Sequence, residues 1–224
     1  MSTSTSTRPV PTPRAASGPS SRPPLTRQLL AAVRALLVLT AVLGVAYPLA
    51  VTGVAQVAFP HEADGSLVTA DGRVVGSSLL GQPFTDADGR PLPQWFQPRP
   101  SAAGDGYDAT ASSASNLGPE NADLLALVQE RRVAVAAADG VDPALVPPDA
   151  LTASGSGLDP EVSPEYARQQ AARVASARGL DAVQVRALVE DHVRGRQLGF
   201  LGEPRVNVLE LNLALARLGA PDAP

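Results

Sequence analysis

ALLVLTAVLGVAYPLAVTGVAQVAF, residues 35–59, holds 25 residues without a charge. A helix of that length reaches roughly 37 Å at ~1.5 Å per residue, enough to cross a ~30 Å hydrocarbon core with some tilt. Arg34 stands at its entry and can snorkel toward water. Pro48 has no backbone N–H to give a helix and predicts a kink. Tyr47 and Pro48 are the candidate anchor residues within the span. The competing reading is a cleaved signal peptide with Gly53 and Ala55 at its exit. Such peptides carry an apolar core of about 7–15 residues, so the length of this run favours a membrane span.

Charge sets the direction of the span. Arg8, Arg14, Arg22, Arg27 and Arg34 all precede Glu62, the first acidic residue. From residue 60 onward, 22 acids face 13 arginines. Basic flanks stay in the cytoplasm, so the N-terminus is expected there and the acidic body outside it. Three segments follow: a disordered cytoplasmic tail at 1–28, rich in Ser, Thr, Pro and Arg, a transmembrane helix at 29–59, and an extracytoplasmic domain at 60–224. The chain has no Cys, which excludes disulfides, thiolate metal sites and cysteine nucleophiles. His61 and His192 are the only histidines, and there is no Lys.

Within 60–224, Asp71-Gly72 predicts a tight hairpin between strands at 66–70 and 73–78. Residues 94–100 read as extended, since Pro98 and Pro100 bar a helix. Residues 101–118 read as a long loop. A helix is expected over about 119–138, stopped by Gly140, and a strand over 149–154. Ser163 and Pro164 should open a second helix that ends at Gly179. Asp181, with Gln184 reaching back, should cap a third, whose stripe is Val185, Leu188, Val189 and His192. Asn207 and Glu210 should box the start of a last helix. Its inner face would be Val208, Leu211, Leu215 and Leu218, with Gly219 and Pro221 beyond it. Strands early and helices late predict an α+β domain, anchored by one N-terminal transmembrane helix.

Chemistry is scarce. HEAD at 61–64 lacks the second His of a zinc-protease helix, and DADG at 86–89 lacks most ligands of a calcium loop. Both read as turns, and no metal site is expected. Ser112, Ser113, Ser115, Ser154 and Ser156 are candidate nucleophiles in kind, yet only His192 could serve as their base. The loop TASGSGLDP, 152–160, has neither the Lys of a P-loop nor a nucleophile elbow. It reads as structural, closed by Asp159 and Pro160. No catalytic residue is assigned. An anchored extracytoplasmic hydrolase or binding module remains the alternative class.

Five stretches occur in order: YPLAVTGVAQVAFP (47–60), VGSSLLGQPF (75–84), WFQPRPSAAGDGYDATASSASNLGPEN (95–121), LTASGSGLDPEVSP (151–164) and FLGEPRVNVLELNLAL (200–215). Together they closely resemble the C subunit (KdpC) family of the bacterial high-affinity potassium-transporting Kdp ATPase. The resemblance runs from about residue 29 to 219. It implies a subunit of a heteromeric pump in the bacterial cytoplasmic membrane. Its partners would be a channel-like A subunit (KdpA), a P-type ATPase B subunit (KdpB) and a small F peptide (KdpF). Potassium would be the transported ion, and ATP and Mg would act on the B subunit. The family is described as a catalytic chaperone that raises the ATP affinity of that subunit. No cofactor is expected on this chain itself, and no nucleic acid.

On these motifs the partner-interface or structural candidates are Trp95, Phe96, Arg99, Ser112, Ser113, Ser115, Asn116, Gly118, Asn121, Ser154, Ser156, Asp159, Arg205 and Asn207. Trp95, Phe96, Arg99 and the loop 112–121 are expected to face the channel-like subunit, because aromatics and Arg dominate binding hot spots. The alternative is that the two aromatics fill the domain's own core.

Overall fold

The computed structural model describes residues 24–218. The chain divides into two units, one ending at Val57 and one beginning at Ala58. A single helical run, Leu25–Ala58, makes up the first and is long and apolar enough to cross a bilayer. It consists of α1 (Leu25–Leu39), a π-helical stretch Thr40–Ala46 and α2 (Tyr47–Ala58). The irregularity expected at Pro48 takes this π form. The proline ring crowds the carbonyl four residues back, and the missing N–H leaves it unbonded. A wider turn relieves both: the Tyr47 N–H donates to the Val42 carbonyl, one residue further back than in an α-helix. Residues 25–28, placed in the tail by the sequence, are helical; residues 1–23 lie outside the described residues.

The second unit opens with one turn of helix, α3 (Pro60–Ala63). Strands β1 (Leu67–Ala70) and β2 (Arg73–Ser77) pair antiparallel, with Ala70 opposite Arg73. Asp71 and Gly72 have φ of 50° and 74°, the positive pair that a primed hairpin turn requires. The DADG segment is the expected turn: the Asp86 carboxylate accepts from the Asp88 and Arg90 N–H groups.

Helix α4 (Ala122–Asp139) starts three residues later than the expected 119, because its cap is Asn121. The Asn121 side chain accepts from the N–H groups of Asp123 and Leu124, which a helix start otherwise leaves unpaired. Gly140 ends it at φ 67°. The strand expected at 149–154 is absent. Pro147 and Pro148 bias the chain toward a tight turn, and Pro148–Ala150 forms a 3₁₀ turn after a similar one at Pro143–Leu145. The Thr152 hydroxyl and N–H then both donate to the Pro148 carbonyl.

Strand β3 (Glu161–Val162) leads into α5 (Pro164–Arg178), capped by the Ser163 hydroxyl and ended by Gly179. Helix α6 (Ala182–Asp191) is capped by Asp181, which accepts from the Val183 N–H. Strand β4 (Val206–Asn207) pairs antiparallel with β3 and runs straight into α7 (Val208–Leu218). The Asn207 side chain accepts from the Glu210 N–H, as the capping pattern predicts. Val208, Leu211 and Leu215 are buried, but Leu218 is 40 % exposed and leaves the expected inner face. Gly219 and Pro221 lie outside the described residues.

Helix α5 is the centre of the core. Tyr166, Ala167, Ala171, Val174 and Ala175 are buried on it. It packs on α6 and α4, and α6 packs on α7. The fold is thus mixed helix and strand as expected, with the strands reduced to two short pairs among the described residues.

Candidate functional site: a stitched pair of loops

The loop 152–160 meets the loop after Arg99, and the contact is made by glycine and serine. Gly157 has φ +69°, and a Cβ there would lie 2.6 Å from the Ser113 carbonyl and 2.7 Å from the Ala103 nitrogen. Only glycine fits both the backbone angle and the space. Across this contact the Ser101 hydroxyl donates to the Gly157 carbonyl at 2.6 Å. It also accepts from the N–H groups of Ala103 and Tyr107. The Ser156 carbonyl accepts from the Ser113 N–H and the Ser112 hydroxyl. Inside the loop, the Ser154 hydroxyl accepts from the Gly157 N–H and the Ser156 hydroxyl from the Leu158 N–H. The serines therefore hold backbone.

The charged groups here are also mutually engaged. Arg99 Nη1 bonds the Asp159 carboxylate at 2.9 Å, while the other Asp159 oxygen accepts from the Glu161 N–H. Arg205 Nε bonds Glu161 at 2.7 Å. Asp149 accepts from both the N–H and hydroxyl of Ser163. An open groove of about 880 Å³ is lined by Arg99, Asp149, Asp159, Glu161 and Arg205 together with Glu165 and Glu203, which pair with Arg168 and Arg196.

Tyr107 donates its hydroxyl to the Arg99 carbonyl at 2.7 Å. Burial pushes its phenol above the ordinary tyrosine range, the Asp159 charge adds to this, and Arg99 partly opposes it. Burial does the same to Tyr166, helped by Asp139. Both rings line a second, more apolar cavity of about 570 Å³.

The two aromatics separate. Phe96 is 1 % exposed and sits in the core, which removes it from any face a partner could touch. Trp95 packs on the core's edge, under the Arg178 guanidinium at 4.8 Å and beside Phe84. The segment expected to be extended from residue 94 instead turns at 93–94 and bends at Trp95, and from Phe96 onward its backbone pairs with no strand. Two buried amides take that role. Asn212 accepts from the Phe96 N–H and donates to the Phe96 carbonyl, each at 2.9 Å. Gln170 does likewise for Gln97, at 2.7 and 3.1 Å. Arg173 then bonds Gln170, the Trp95 carbonyl and Asp139. Gln170, Arg173, Asp139 and Asn212 escape a reading by motif, because polar positions on a helix read as its wet face.

The remaining candidates scatter around this clamp. Asn207 donates to the Ser78 carbonyl and ties the hairpin of β1 and β2 to α7. Gly118 accepts from the Asn121 N–H at the mouth of α4. Ser115 and Asn116 are exposed, with Asn116 at φ 52°. His192 bonds the Leu188 carbonyl of its own helix through Nδ1 at 2.8 Å.

Together these features define a protein with one bilayer-length helix and a mixed helix-and-strand domain whose polar motif residues hold its own loops. The sequence pattern described as "K+-transporting ATPase, c chain" matches residues 29–217. A potassium-transporting ATPase KdpC subunit from Kineococcus radiotolerans is 65 % identical over 197 residues, 88 % of this chain and 96 % of that one. Its counterpart from Mycobacterium tuberculosis is 56 % identical over 196 residues, 87 % of this chain and 100 % of that one. A third, from Sorangium cellulosum, is 57 % identical over 181 residues, 80 % and 92 % of the two chains. The chain belongs to the KdpC family, the C chain of the potassium-transporting ATPase.

Proposed function

We propose that this chain is a non-catalytic subunit that assembles and stabilises the potassium pump. In this reading the α1–α2 run anchors it in the cytoplasmic membrane, with the N-terminus cytoplasmic and the mixed domain extracytoplasmic. It holds together a channel-like A subunit, a P-type ATPase B subunit and a small F subunit. Potassium is the cargo, and ATP and Mg belong to the B subunit. One observation carries the reading: the motif side chains Ser101, Ser112, Ser154, Ser156, Arg99 and Asp159 bond the two loops to themselves and to each other. That arrangement preorganises a surface for binding, whereas nucleophilic chemistry needs a hydroxyl paired with a base. Within the face expected to meet the channel-like subunit, the exposed share is Ser112, Ser113, Ser115, Asn116 and the stretch Gly118–Glu120.

The family's chaperone action on ATP affinity follows from such assembly as an allosteric coupling, typically about 1–3 kcal/mol. The test is to purify the full chain in detergent with its partners and measure the ATP half-saturation of the ATPase with and without it. Co-purification with a polytopic subunit and a P-type ATPase, together with a changed half-saturation, is the expected result. A chain that purifies alone, or turns over a substrate without partners, overturns the proposal. A reporter fused after Pro224 should be active only outside the cytoplasm.

A further inference from the structure

Between Arg194 and Arg205 the chain makes a hairpin excursion whose tip leaves its large apolar side chains mostly uncovered. Arg194 and Arg205 exchange both backbone hydrogen bonds, and so do Gln197 and Leu201. The tip carries Leu198, Phe200 and Leu201, which are 83 %, 68 % and 47 % exposed. Three large apolar side chains in four residues, on a protruding turn, form the kind of surface that marks an interaction site.

The backbone at the tip adds a second observation. Leu198 has φ +52° and Gly199 φ +82°. Turns with two positive φ values favour Asn-Gly, because a branched side chain is strained there. Asparagine at 198 would suit both the backbone and the water around it. A leucine is instead held in a strained conformation and exposed, which serves neither folding nor solubility.

Charge decides the occupant. Anionic lipid would be recognised through free cations beside the apolar tip. Every arginine of the hairpin is already paired within the chain: Arg194 with Glu210, Arg196 with Glu203, Arg205 with Glu161. The stem is electrically satisfied and the tip is purely apolar, which fits an uncharged recess on a protein. Building on the assembly role proposed above, we infer that Leu198, Phe200 and Leu201 dock into an uncharged apolar recess on another subunit of the ATPase, on the domain's own side of the membrane.

The absence of Cys from the chain makes the test direct. Phe200→Cys introduces a single thiol, and Val183→Cys, at an exposed position on α6, is the control. Maleimide labelling is compared for the full chain alone in detergent, alone in nanodiscs, and in the assembled complex. Docking predicts that assembly slows labelling at 200 by about tenfold or more, the effect of ~1.4 kcal/mol of protection, and leaves 183 unchanged. Leu198→Asn should melt no lower than the parent yet weaken assembly by on the order of tenfold or more, as loss of a buried anchor does. Equal labelling at 200 inside an intact complex overturns the inference and leaves the assembly role standing. Protection in nanodiscs without partners, or a disulfide between two copies of Phe200→Cys, also overturns it by naming lipid or a second copy as the occupant. Normal assembly of Leu198→Asn does the same. Failure of the parent chain to assemble at all would instead sink the role on which the inference rests.

Discussion

Replacing Asn212 with leucine isolates the amide pairing that holds the Phe96 backbone. Leucine has the same number of side-chain heavy atoms and the same branching as asparagine, and offers neither bond. The Phe96 N–H and carbonyl then stay in a core where that residue is 1 % exposed, without the two 2.9 Å partners they had. Each buried group left unsatisfied costs ~1–3 kcal/mol, so two cost roughly 2–6 kcal/mol by the same rule. The new side chain returns about 1–2 kcal/mol by its own burial. Taking the middle of each range, a net loss of about 2.5 kcal/mol remains, a large share of the ~5–15 kcal/mol that stabilises a domain. At about 2–4 °C per kcal/mol for a body of this size, melting should fall by roughly 5–10 °C. Trp95 is the sole tryptophan and adjoins Phe96, so its emission through a thermal or urea ramp in mild detergent reports the event directly. Gln170→Leu should behave alike, since it strips Gln97 of two bonds in the same way. Melting of Asn212→Leu within ~1 °C of the parent would refute the reasoning, because the lost bonds would then carry less than the smallest sum allowed.

Gly157→Ala should destabilise the domain by more than the ~1–2 kcal/mol of a left-handed non-glycine residue, because its Cβ also meets two backbone atoms inside 3 Å; thermal unfolding checks this. Ser156→Ala should lower melting only modestly, by the ~1 kcal/mol of one lost hydrogen bond to the Leu158 N–H, and leave transport intact, since the Ser156 carbonyl makes the cross-loop bonds; lost transport with intact folding would contradict the structural role. Arg168 holds the Glu190 carboxyl below the usual glutamate range through a two-pronged hydrogen bond. Its small stabilisation is therefore present above the ordinary carboxylate range and lost as pH falls through the depressed value. A stability difference between parent and Arg168→Gln at neutral pH should vanish in acid. Tyr107 and Tyr166 have raised phenol pKa values, so their share of stability is intact below the ordinary value of about 10 and is lost as pH rises above it. Absorbance at alkaline pH should show phenolate from both appearing only with unfolding.

Local rules made much of this fold legible. Asp71-Gly72 needs positive φ twice and obtains it. Ser163-Pro164, Asp181 and Asn207 each announce a helix start through a side chain that can reach an unpaired N–H. The misses arise where distant parts decide. Residues 149–154 read as strand, but Pro147, Pro148 and the Asp149–Ser163 bonds turn the chain. The start of α4 moved because Asn121 competes with Pro119 and reaches two N–H groups. Phe96 could be placed in the core or at an interface on composition alone. What settles it is Asn212, 116 residues further along the chain, and no local pattern pairs them.

Helix α7 shows why a hairpin with no packing of its own can still present a fixed surface. Glu210 on its first turn grips Arg194 in the hairpin stem. Asn207, just before it, is bonded to Ser78 beyond the other hairpin, and the Val208 N–H donates to the Pro160 carbonyl at the end of the stitched loop. About one turn on, Asn212 fixes Phe96. Six residues of chain, 207–212, thus fasten the hairpin stem, the 152–160 loop and the core. A tip carried on such a base loses little conformational freedom when it docks, and ordering cost is what most reduces the affinity of exposed loops. The strained Leu198 is held by the same base, because strain at one turn persists only when the structure around it overdetermines its geometry.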